Sequence, residues 1–463
     1  MDSFESYLDS PLGQYTSNAI SISISEEIDL LVNDTADEFE VHFEESERPK
    51  FAIFLHEYWH YLLNTSTFSR YHDFSICFHI LALFSSTLET NKNGISDGNK
   101  NLRDDQKELL SSFICLLRIY RGDSRPKIEG SIHDFRVLGY TENESKIKFQ
   151  ENIQLHPSIL LQLEIDSTNG KESTEFLLGN IAIEEGLVTL IEDFIFESKP
   201  PLFPYRVIPK LVDSLVSHPI PKTDLISIIT LSLLTPNPAI SLISLIHFFD
   251  ENCRHKLSSN DRRVALIEQV KDKFEFSYNF IAKELAEIDE LVKHRTAFEM
   301  SSKVFGSAFR KMLKIRKANF LFDLEPFLSG ELLSKQLEKF INLYPPCDVI
   351  QRRNGDEDKI ERDSLLTFQS PVLGKELLTS YLKPFQAALK YMFSHLNSDG
   401  FKSSDEATCQ CPFYTICGLS YRKNHPSLCK TKPWELYEIQ ENDLCWFNQG
   451  VASLLGTSKT VKD

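Results

Sequence analysis

The sequence lacks the features that mark membrane, secreted and nucleic-acid-binding proteins. Its formal net charge of −17 argues against a main role in binding nucleic acid, because phosphate contacts need clustered lysine and arginine. Residues 1–7 carry neither a basic start nor an apolar core, so no secretory signal is expected. The most apolar stretch, 225–249, is interrupted by Thr235-Pro236-Asn237-Pro238, whereas a membrane span needs about 20 unbroken apolar residues. We therefore expect a cytoplasmic protein without nucleic-acid or membrane partners.

The length of the chain indicates more than one domain. Its 463 residues exceed what one ordinary core accommodates and predict two or three domains. We expect a metal-centred part at 1–205, an α-helical part at 206–400 and a small cysteine-rich module with a tail at 401–463.

Hydrophobic periodicity predicts an α+β fold, with strands in the N-terminal part and a mainly α-helical remainder. Strict alternation over 19–25, and again over 38–43, is typical of half-buried strands. A polar loop is expected over 166–174 and a helix over about 175–197. The pattern is helical almost throughout 209–345, where the most apolar stretch is expected to form two buried helices joined at the Pro-Asn-Pro turn.

The run His56-Glu57-Tyr58-Trp59-His60 has the spacing of a helical zinc site. Two histidines four residues apart on a helix point the same way, one turn above the other. Zinc binds such imidazole nitrogens, usually in tetrahedral geometry. Glu57 flanks the metal, where it can take a proton from bound water and pass it to a leaving amine. The competing interpretation is two unrelated histidines on a core helix.

The helix that carries this run, expected over about 50–64, is amphipathic. One stripe holds His56, Glu57 and His60, so the helix can bury one face and offer the other to a metal. The apolar stripe consists of Phe51, Phe54, Leu55, Tyr58 and Leu62. The alternating segment 38–43 just before the helix could hold an extended substrate.

A catalytic zinc needs a third protein ligand, with one position left for water. No third histidine follows at the short spacing of the metzincin signature, so a glutamate on a second helix is the alternative. The segment 179–192 is the best candidate. Its small residues, Gly179, Ala182 and Gly186, let another helix come close.

The two motifs resemble those of the gluzincin metallopeptidases, over roughly residues 38–200. The resemblance implies a zincin-like fold and makes Glu185, just before Gly186, the third ligand. Glu184 is the alternative, because it shares a face with apolar residues and a carboxylate there needs a partner. Glu192 lies two turns beyond Glu185 and could orient a ligand histidine. A solvated helix face is the competing interpretation for all three glutamates.

An electrophilic helper would stabilise the oxyanion of a peptide substrate. Tyr205 and Arg206 follow the proline-rich end of the predicted ligand helix and could reach the site. His156 is a further candidate. An ordinary packing or loop role is the competing interpretation for each.

The cysteine-rich end predicts a second metal site, because five of the nine cysteines fall between 409 and 445. A closed tetrahedral site would use Cys409, Cys411, Cys417 and Cys429, with His425 and Cys445 as spare ligands. Structural zinc is the favoured occupant, and an iron–sulfur cluster or unmetallated thiols are the alternatives. The scattered cysteines are typical of buried free thiols in a reducing compartment; they are Cys77, Cys115, Cys253 and Cys347.

These observations favour a zinc-dependent peptidase that acts on a protein or peptide substrate and binds a regulatory protein partner. The expected cofactors are a catalytic Zn²⁺ and, at the cysteines, a second Zn²⁺ or an iron–sulfur cluster. One alternative is a non-catalytic, zinc-stabilised regulatory or binding protein. The other is a redox-sensing or iron-sensing protein in which the cysteine cluster is the functional site.

Overall fold

The parts of the chain that the structure describes contain fifteen α-helices and nine β-strands. The structure is a computed structural model, and it describes residues 13–16, 21–24, 48–88, 93–149, 152–196, 199–254, 258–293, 296–328, 334–344, 348–351, 364–367, 382–440 and 444–456. The predicted strand at 38–43 lies outside these residues.

The helices dominate the fold. In chain order they are α1 (Arg48–Ser66), α2 (Phe68–Ser86), α3 (Asp104–Arg121), α4 (Asn180–Glu192), α5 (Val207–Leu215), α6 (Lys222–Leu233), α7 (Pro238–Phe248), α8 (Ser259–Val292), α9 (Thr296–Ala318), α10 (Ser334–Leu343), α11 (Leu382–His395), α12 (Ser420–Asn424), α13 (Pro426–Thr431), α14 (Leu436–Ile439) and α15 (Trp446–Leu455).

The strands form three separate sheets. They are β1 (Gly13–Thr16), β2 (Ser21–Ile24), β3 (Ile132–Phe149), β4 (Asn152–Ser167), β5 (Gly170–Leu178), β6 (Asp348–Gln351), β7 (Ser364–Thr367), β8 (Leu396–Asn397) and β9 (Gly400–Phe401). The largest sheet is the antiparallel meander β3-β4-β5. A second sheet has the order β1-β2-β6-β7, in which β2 and β6 are parallel. Helix and sheet are thus mixed, as predicted.

The segment before α4 differs from the prediction. The expected loop at 166–174 is a tight hairpin turn between β4 and β5, and the expected helix at 175–197 begins only at Asn180. Gly170 has a φ of +105°, a conformation that glycine adopts readily and that permits this turn. The Ser, Thr and Glu residues that resemble a helix start belong instead to the exposed part of the edge strand β5.

The apolar stretch at 225–249 forms the two buried helices α6 and α7, as predicted. Asn237 caps α7, because its side-chain oxygen accepts the amide of Ile240 at 3.1 Å, and Pro238 occupies the first turn. In the described part of the chain, no helix is both long enough and apolar enough to cross a membrane.

One continuous hydrophobic core links the three predicted domains. Buried side chains from α1, α4, α9, α11 and α15 all belong to it. Tyr391 on α11 stacks on Trp434 near the C-terminus, with ring centroids 4.9 Å apart. On the N-terminal side, Phe74 on α2 lies 5.8 Å from Phe385 on α11. The cysteine-rich region is therefore packed onto the helical body.

The order of elements brings two distant helices together. Strand β5 leads through Gly179 directly into α4, and α4 packs against α1. Helix α1 begins at Arg48, and Pro49 lies in its first turn, where proline is tolerated. The result is that the histidines of α1 face the glutamates of α4.

Candidate metal centre

Helix α1 carries both histidines on the side that faces α4. The imidazole rings of His56 and His60 lie with their centroids 5.1 Å apart, as expected for one helical turn. The opposite stripe is in the core, and Phe54, Leu55 and Tyr58 are fully buried. His60 itself is only 5% exposed, so α1 is buried on both faces and is not an amphipathic surface helix.

Glu185 on α4 completes a group of three converging ligand atoms. Its Oε2 lies 3.1 Å from Nε2 of His56 and 3.4 Å from Nε2 of His60. The three ligand atoms lie within 4.8 Å of one another, and no other trio of His, Cys, Asp or Glu in the described residues meets this criterion. Two imidazole nitrogens and one carboxylate oxygen are a typical donor set of catalytic zinc.

The outer nitrogens of both imidazoles also face carboxylates. Nδ1 of His56 lies 3.2 Å from Oε2 of Glu192, a hydrogen-bond distance. Nδ1 of His60 lies 3.8 Å from Oε2 of Glu184, which is an ion-pair distance but too long for a hydrogen bond. A carboxylate at Nδ1 keeps the proton on that nitrogen and leaves Nε2 free to bind a metal.

Glu184 has a second partner, Arg70 on α2. The Glu184 carboxylate is fully buried, and Nε of Arg70 donates to its Oε2 at 2.5 Å while Nη2 makes a second contact with the same oxygen. The ion pair with Arg70 therefore stabilises the Glu184 carboxylate on this apolar face of α4. Sequence reasoning did not identify Arg70; a buried acidic residue signals that a cation is needed but not which one.

The carboxylates make the centre attractive to positive charge. Burial alone would lower the pKa of His56, but hydrogen bonds to Glu185 and Glu192 outweigh burial and raise that pKa to about 10. Burial also opposes the upward shift in the pKa of His60, which Glu185 and Glu184 cause. Conversely, burial would raise the pKa of Glu185, but the imidazoles of His60 and His56 hold it well below its ordinary value. A bound dication would replace these protons.

Tyr205 lies beside the histidines because α5 packs closely on α4. A Cβ at Gly186 would come within 2.8 Å of Cγ1 of Ile208, so only glycine allows this approach. The ring of Tyr205, in the turn just before α5, lies with its centroid 6.0 Å from that of His56. Burial, followed by the charges of Glu185 and Glu57, raises the pKa of Tyr205. The hydroxyl of Tyr205 therefore stays protonated.

Glu57 follows His56 on α1 and is 5% exposed. Its charge contributes to the upward pKa shifts of His56, after burial and the two other glutamates, and of Tyr205. The carboxylate of Glu57 is thus close enough to both rings to act on them electrostatically.

The other two predicted helpers are placed differently. His156 lies in β4, where its ring is near Tyr120 on α3, at a centroid distance of 6.4 Å. Arg206 forms an ion pair with Asp193 at the end of α4, with Nη1 and Oδ2 separated by 4.0 Å. Of the three helpers that the sequence suggested, Tyr205 is the one in ring contact with His56.

None of the described cysteines forms a disulfide bond. Cys77 and Cys253 are buried as predicted, but Cys115 is exposed, because it lies on the outer face of α3. Cys347 lies outside the described residues. Among the C-terminal five, Cys409 and Cys429 are buried and the others are partly exposed. His425 lies between α12 and α13, where its carbonyl accepts the amide of Cys429 at 3.2 Å.

Comparison of the chain with protein-family models, with curated proteins and with solved structures gives no match.

Proposed function

We propose that the chain is a zinc-dependent peptidase, in which His56, His60 and Glu185 bind the metal. The observation that carries the proposal is the convergence of two Nε2 atoms and one carboxylate oxygen within 4.8 Å. A carboxylate faces the outer nitrogen of each imidazole, Glu192 at His56 and Glu184 at His60. Such an arrangement is typical of histidines that bind a metal. It supports Glu185 rather than Glu184 as the third ligand.

The number of ligands and the charge of the residues at this centre suit a zinc ion. Three protein ligands leave one position of a tetrahedral ion for water or substrate. Glu57, Glu184, Glu185 and Glu192 bring four carboxylates to the centre, and Arg70 neutralises one of them. When bound, zinc would supply Lewis-acid chemistry, polarising the substrate carbonyl and lowering the pKa of water.

Glu57 is the proposed general base and acid. Its carboxylate takes a proton from the attacking water and then delivers this proton to the nitrogen of the leaving amine. Its position next to His56 and its burial suit this role, because a desolvated carboxylate interacts strongly with a nearby proton.

Tyr205 is the proposed oxyanion helper. Its hydroxyl remains protonated, since burial and the neighbouring glutamates raise its pKa. A neutral phenol beside His56 can donate a hydrogen bond to the oxygen that becomes negatively charged during peptide hydrolysis. The segment 38–43 stays the predicted binding strand for an extended peptide.

The test is the Glu57→Gln variant, assayed for both metal and cleavage. Glutamine has nearly the same shape but cannot accept the proton, so we expect an unchanged zinc content and a loss of about 10²–10⁴-fold in the rate of peptide cleavage. Cleavage of a peptide library is followed by mass spectrometry, and zinc is measured on the same samples.

The matched control is Glu142→Gln, which makes the same change at an exposed position in β3. This variant should cleave at the wild-type rate. If Glu57→Gln cleaves as fast as wild type, the assigned mechanism is wrong. A wild-type protein that binds zinc and cleaves no peptide of the library would instead favour a non-catalytic zinc protein.

A further inference from the structure

The cysteine-rich region is held together by backbone contacts between its segments. The amide of Cys411 donates to the carbonyl of Cys429 at 2.8 Å, and the amide of Cys409 donates to the carbonyl of Thr431 at 2.7 Å. The segment around Cys411 therefore runs beside α13, and the two cysteines Cys411 and Cys429 are neighbours across it.

Side-chain contacts hold Cys417 near the segments that carry Cys411 and Cys429. The ring of Tyr414 contacts two cations, Lys430 at 5.2 Å and Arg422 at 4.6 Å from the ring centroid. Nη1 of Arg422 also donates to the carbonyl of Cys417 at 3.0 Å. The turn that ends at Cys417 is thereby folded onto α12 and α13.

Cys445 lies just before α15 and is held near Cys411 by the contacts of its neighbours. Its amide donates to the side-chain oxygen of Gln440 at 2.9 Å, which fixes the start of α15. The neighbouring Trp446 contacts Phe413 edge to face, with ring centroids 5.3 Å apart. Because Phe413 is two residues from Cys411, this contact brings Cys445 toward Cys411.

Cys409 lies at the edge of this group, against the helical body. Its Sγ lies 3.3 Å from the carbonyl of Gln410 and 4.0 Å from the carbonyl of Lys390 on α11. Cys409 is therefore packed between the module and the helical body.

The electrostatic interactions of the thiols agree with this placement. Burial, followed by the charges of Cys445 and Cys417, raises the pKa of the Cys429 thiol to about 11. Burial, followed by the charges of Cys445 and Cys429 and last by that of Cys409, raises the pKa of Cys411. In the described residues no three of these sulfurs lie within 4.8 Å of one another, so binding of a metal would draw the thiols closer together.

We propose that Cys411, Cys417, Cys429 and Cys445 form a second, structural zinc site, with Cys409 outside it. Four thiols would lose their protons to solvent and bind one Zn²⁺ as a closed tetrahedral site. The site would cross-link four segments whose helices are very short, since α12, α13 and α14 have 5, 6 and 4 residues. Arg422 and Lys430 lie near enough to offset the negative charge of the tetrathiolate. The proposal is independent of the centre at His56.

The test compares two serine variants of the full-length chain purified with Zn²⁺. Cys445→Ser should lose one zinc per chain, and the matched control Cys409→Ser should keep the wild-type zinc content, both measured by mass spectrometry. Cys445→His should retain the metal, because imidazole is also a zinc ligand. This third variant guards against a folding defect in Cys445→Ser.

X-ray absorption at the zinc edge gives a second measurement that does not depend on these variants. In His60→Ala, the remaining zinc should show four sulfur neighbours at about 2.3 Å. The proposal is overturned if Cys409→Ser loses the metal and Cys445→Ser keeps it, or if neither loses it. Iron with visible absorption in place of zinc would overturn it as well. These outcomes do not test the zinc site at His56 and His60, because the two sites would lose or keep their zinc independently.

Discussion

Changing Glu192 isolates one contact of the proposed zinc centre without touching a metal ligand. The carboxylate of Glu192 accepts a hydrogen bond from Nδ1 of His56 at 3.2 Å, and its side chain is 13% exposed. Glu192→Gln keeps an acceptor oxygen but removes the charge, whereas Glu192→Leu removes both. The two variants therefore separate the hydrogen bond from the charge.

The expected magnitude follows from this geometry. Loss of a carboxylate that orients a zinc-binding histidine weakens metal binding by about 10–100-fold, which corresponds to about 1.4–2.7 kcal/mol. The contact of Glu192 is at the long end of the hydrogen-bond range. We therefore expect about 10-fold weaker zinc binding for Glu192→Gln and a value nearer 100-fold for Glu192→Leu.

Glu184→Gln should behave differently. The Glu184 carboxylate is 3.8 Å from Nδ1 of His60 and is paired with Arg70, so its effect on zinc affinity should be smaller than that of Glu192. Its effect on the free energy of unfolding should be larger, up to about 3–5 kcal/mol, because the buried guanidinium of Arg70 would lose the charge of Glu184.

The assay is a competition for zinc with a chelator of known affinity, followed at one pH and one salt concentration. Glu142→Gln on the exposed face of β3 is the control and should bind zinc as wild type does. If Glu192→Leu also binds zinc as tightly as wild type, Glu192 does not orient a ligand and the assignment of the outer contacts is wrong.

Two further predictions concern the packing and pH dependence of the fold. Gly186→Ala should lower the free energy of unfolding by about 1–3 kcal/mol, because the new Cβ would lie 2.8 Å from Cγ1 of Ile208; thermal denaturation measures this. His395 is fully buried, and burial lowers its pKa to about 4. The folded protein holds the neutral imidazole. The contribution of His395 to the free energy of unfolding is therefore fully present above the ordinary pKa of about 6.5, and it falls by about 1.4 kcal/mol per pH unit as pH decreases toward 4. His72 is also buried with a pKa lowered to about 4 and titrates in both proteins. Urea denaturation at about pH 7 and about pH 5 should therefore show a loss of stability that is about 2 kcal/mol larger in wild type than in His395→Gln.

Each of these predictions has a matched control. A Cβ at Gly139 in β3 would meet no atom within 4 Å, so Gly139→Ala should change stability by less than about 0.5 kcal/mol. If Gly139→Ala and Gly186→Ala are equally stable, the close approach of α5 to α4 is not required. His133 is exposed in β3, and His133→Gln should keep the pH slope of wild type. An unchanged slope in His395→Gln would show that the buried imidazole is not its source.

The residues that converge at the candidate metal centre could be proposed from the sequence because most of them follow local patterns. The spacing of His56 and His60 and the apolar stripe of α1 are helical properties that can be read directly. Glu185 follows from the resemblance to the gluzincins, through its place before Gly186, although it is 129 residues from His56. The packing of Ile208 against Gly186 gives a physical reason for the small residue at that position.

The contacts between elements could not be predicted, because they depend on tertiary packing. Nothing in the chain near Arg70 indicates that its guanidinium meets Glu184, which is 114 residues away. The start of α4 was wrong by several residues because polar residues typical of a helix start also suit an exposed edge strand. The sequence predicts Cys409, Cys411, Cys417 and Cys429 as ligands with Cys445 as a spare, and the proposed site takes Cys445 instead of Cys409 because of the packing around Trp446.

Zinc stoichiometry tests the central claim most directly. Wild type, His60→Ala and Glu185→Ala are purified identically, their folding is checked by circular dichroism, and zinc per chain is measured by mass spectrometry. We predict that each variant contains one zinc fewer than wild type. A zinc content equal to that of wild type in both folded variants would contradict the assignment of His60 and Glu185 as ligands and, with it, the proposed peptidase.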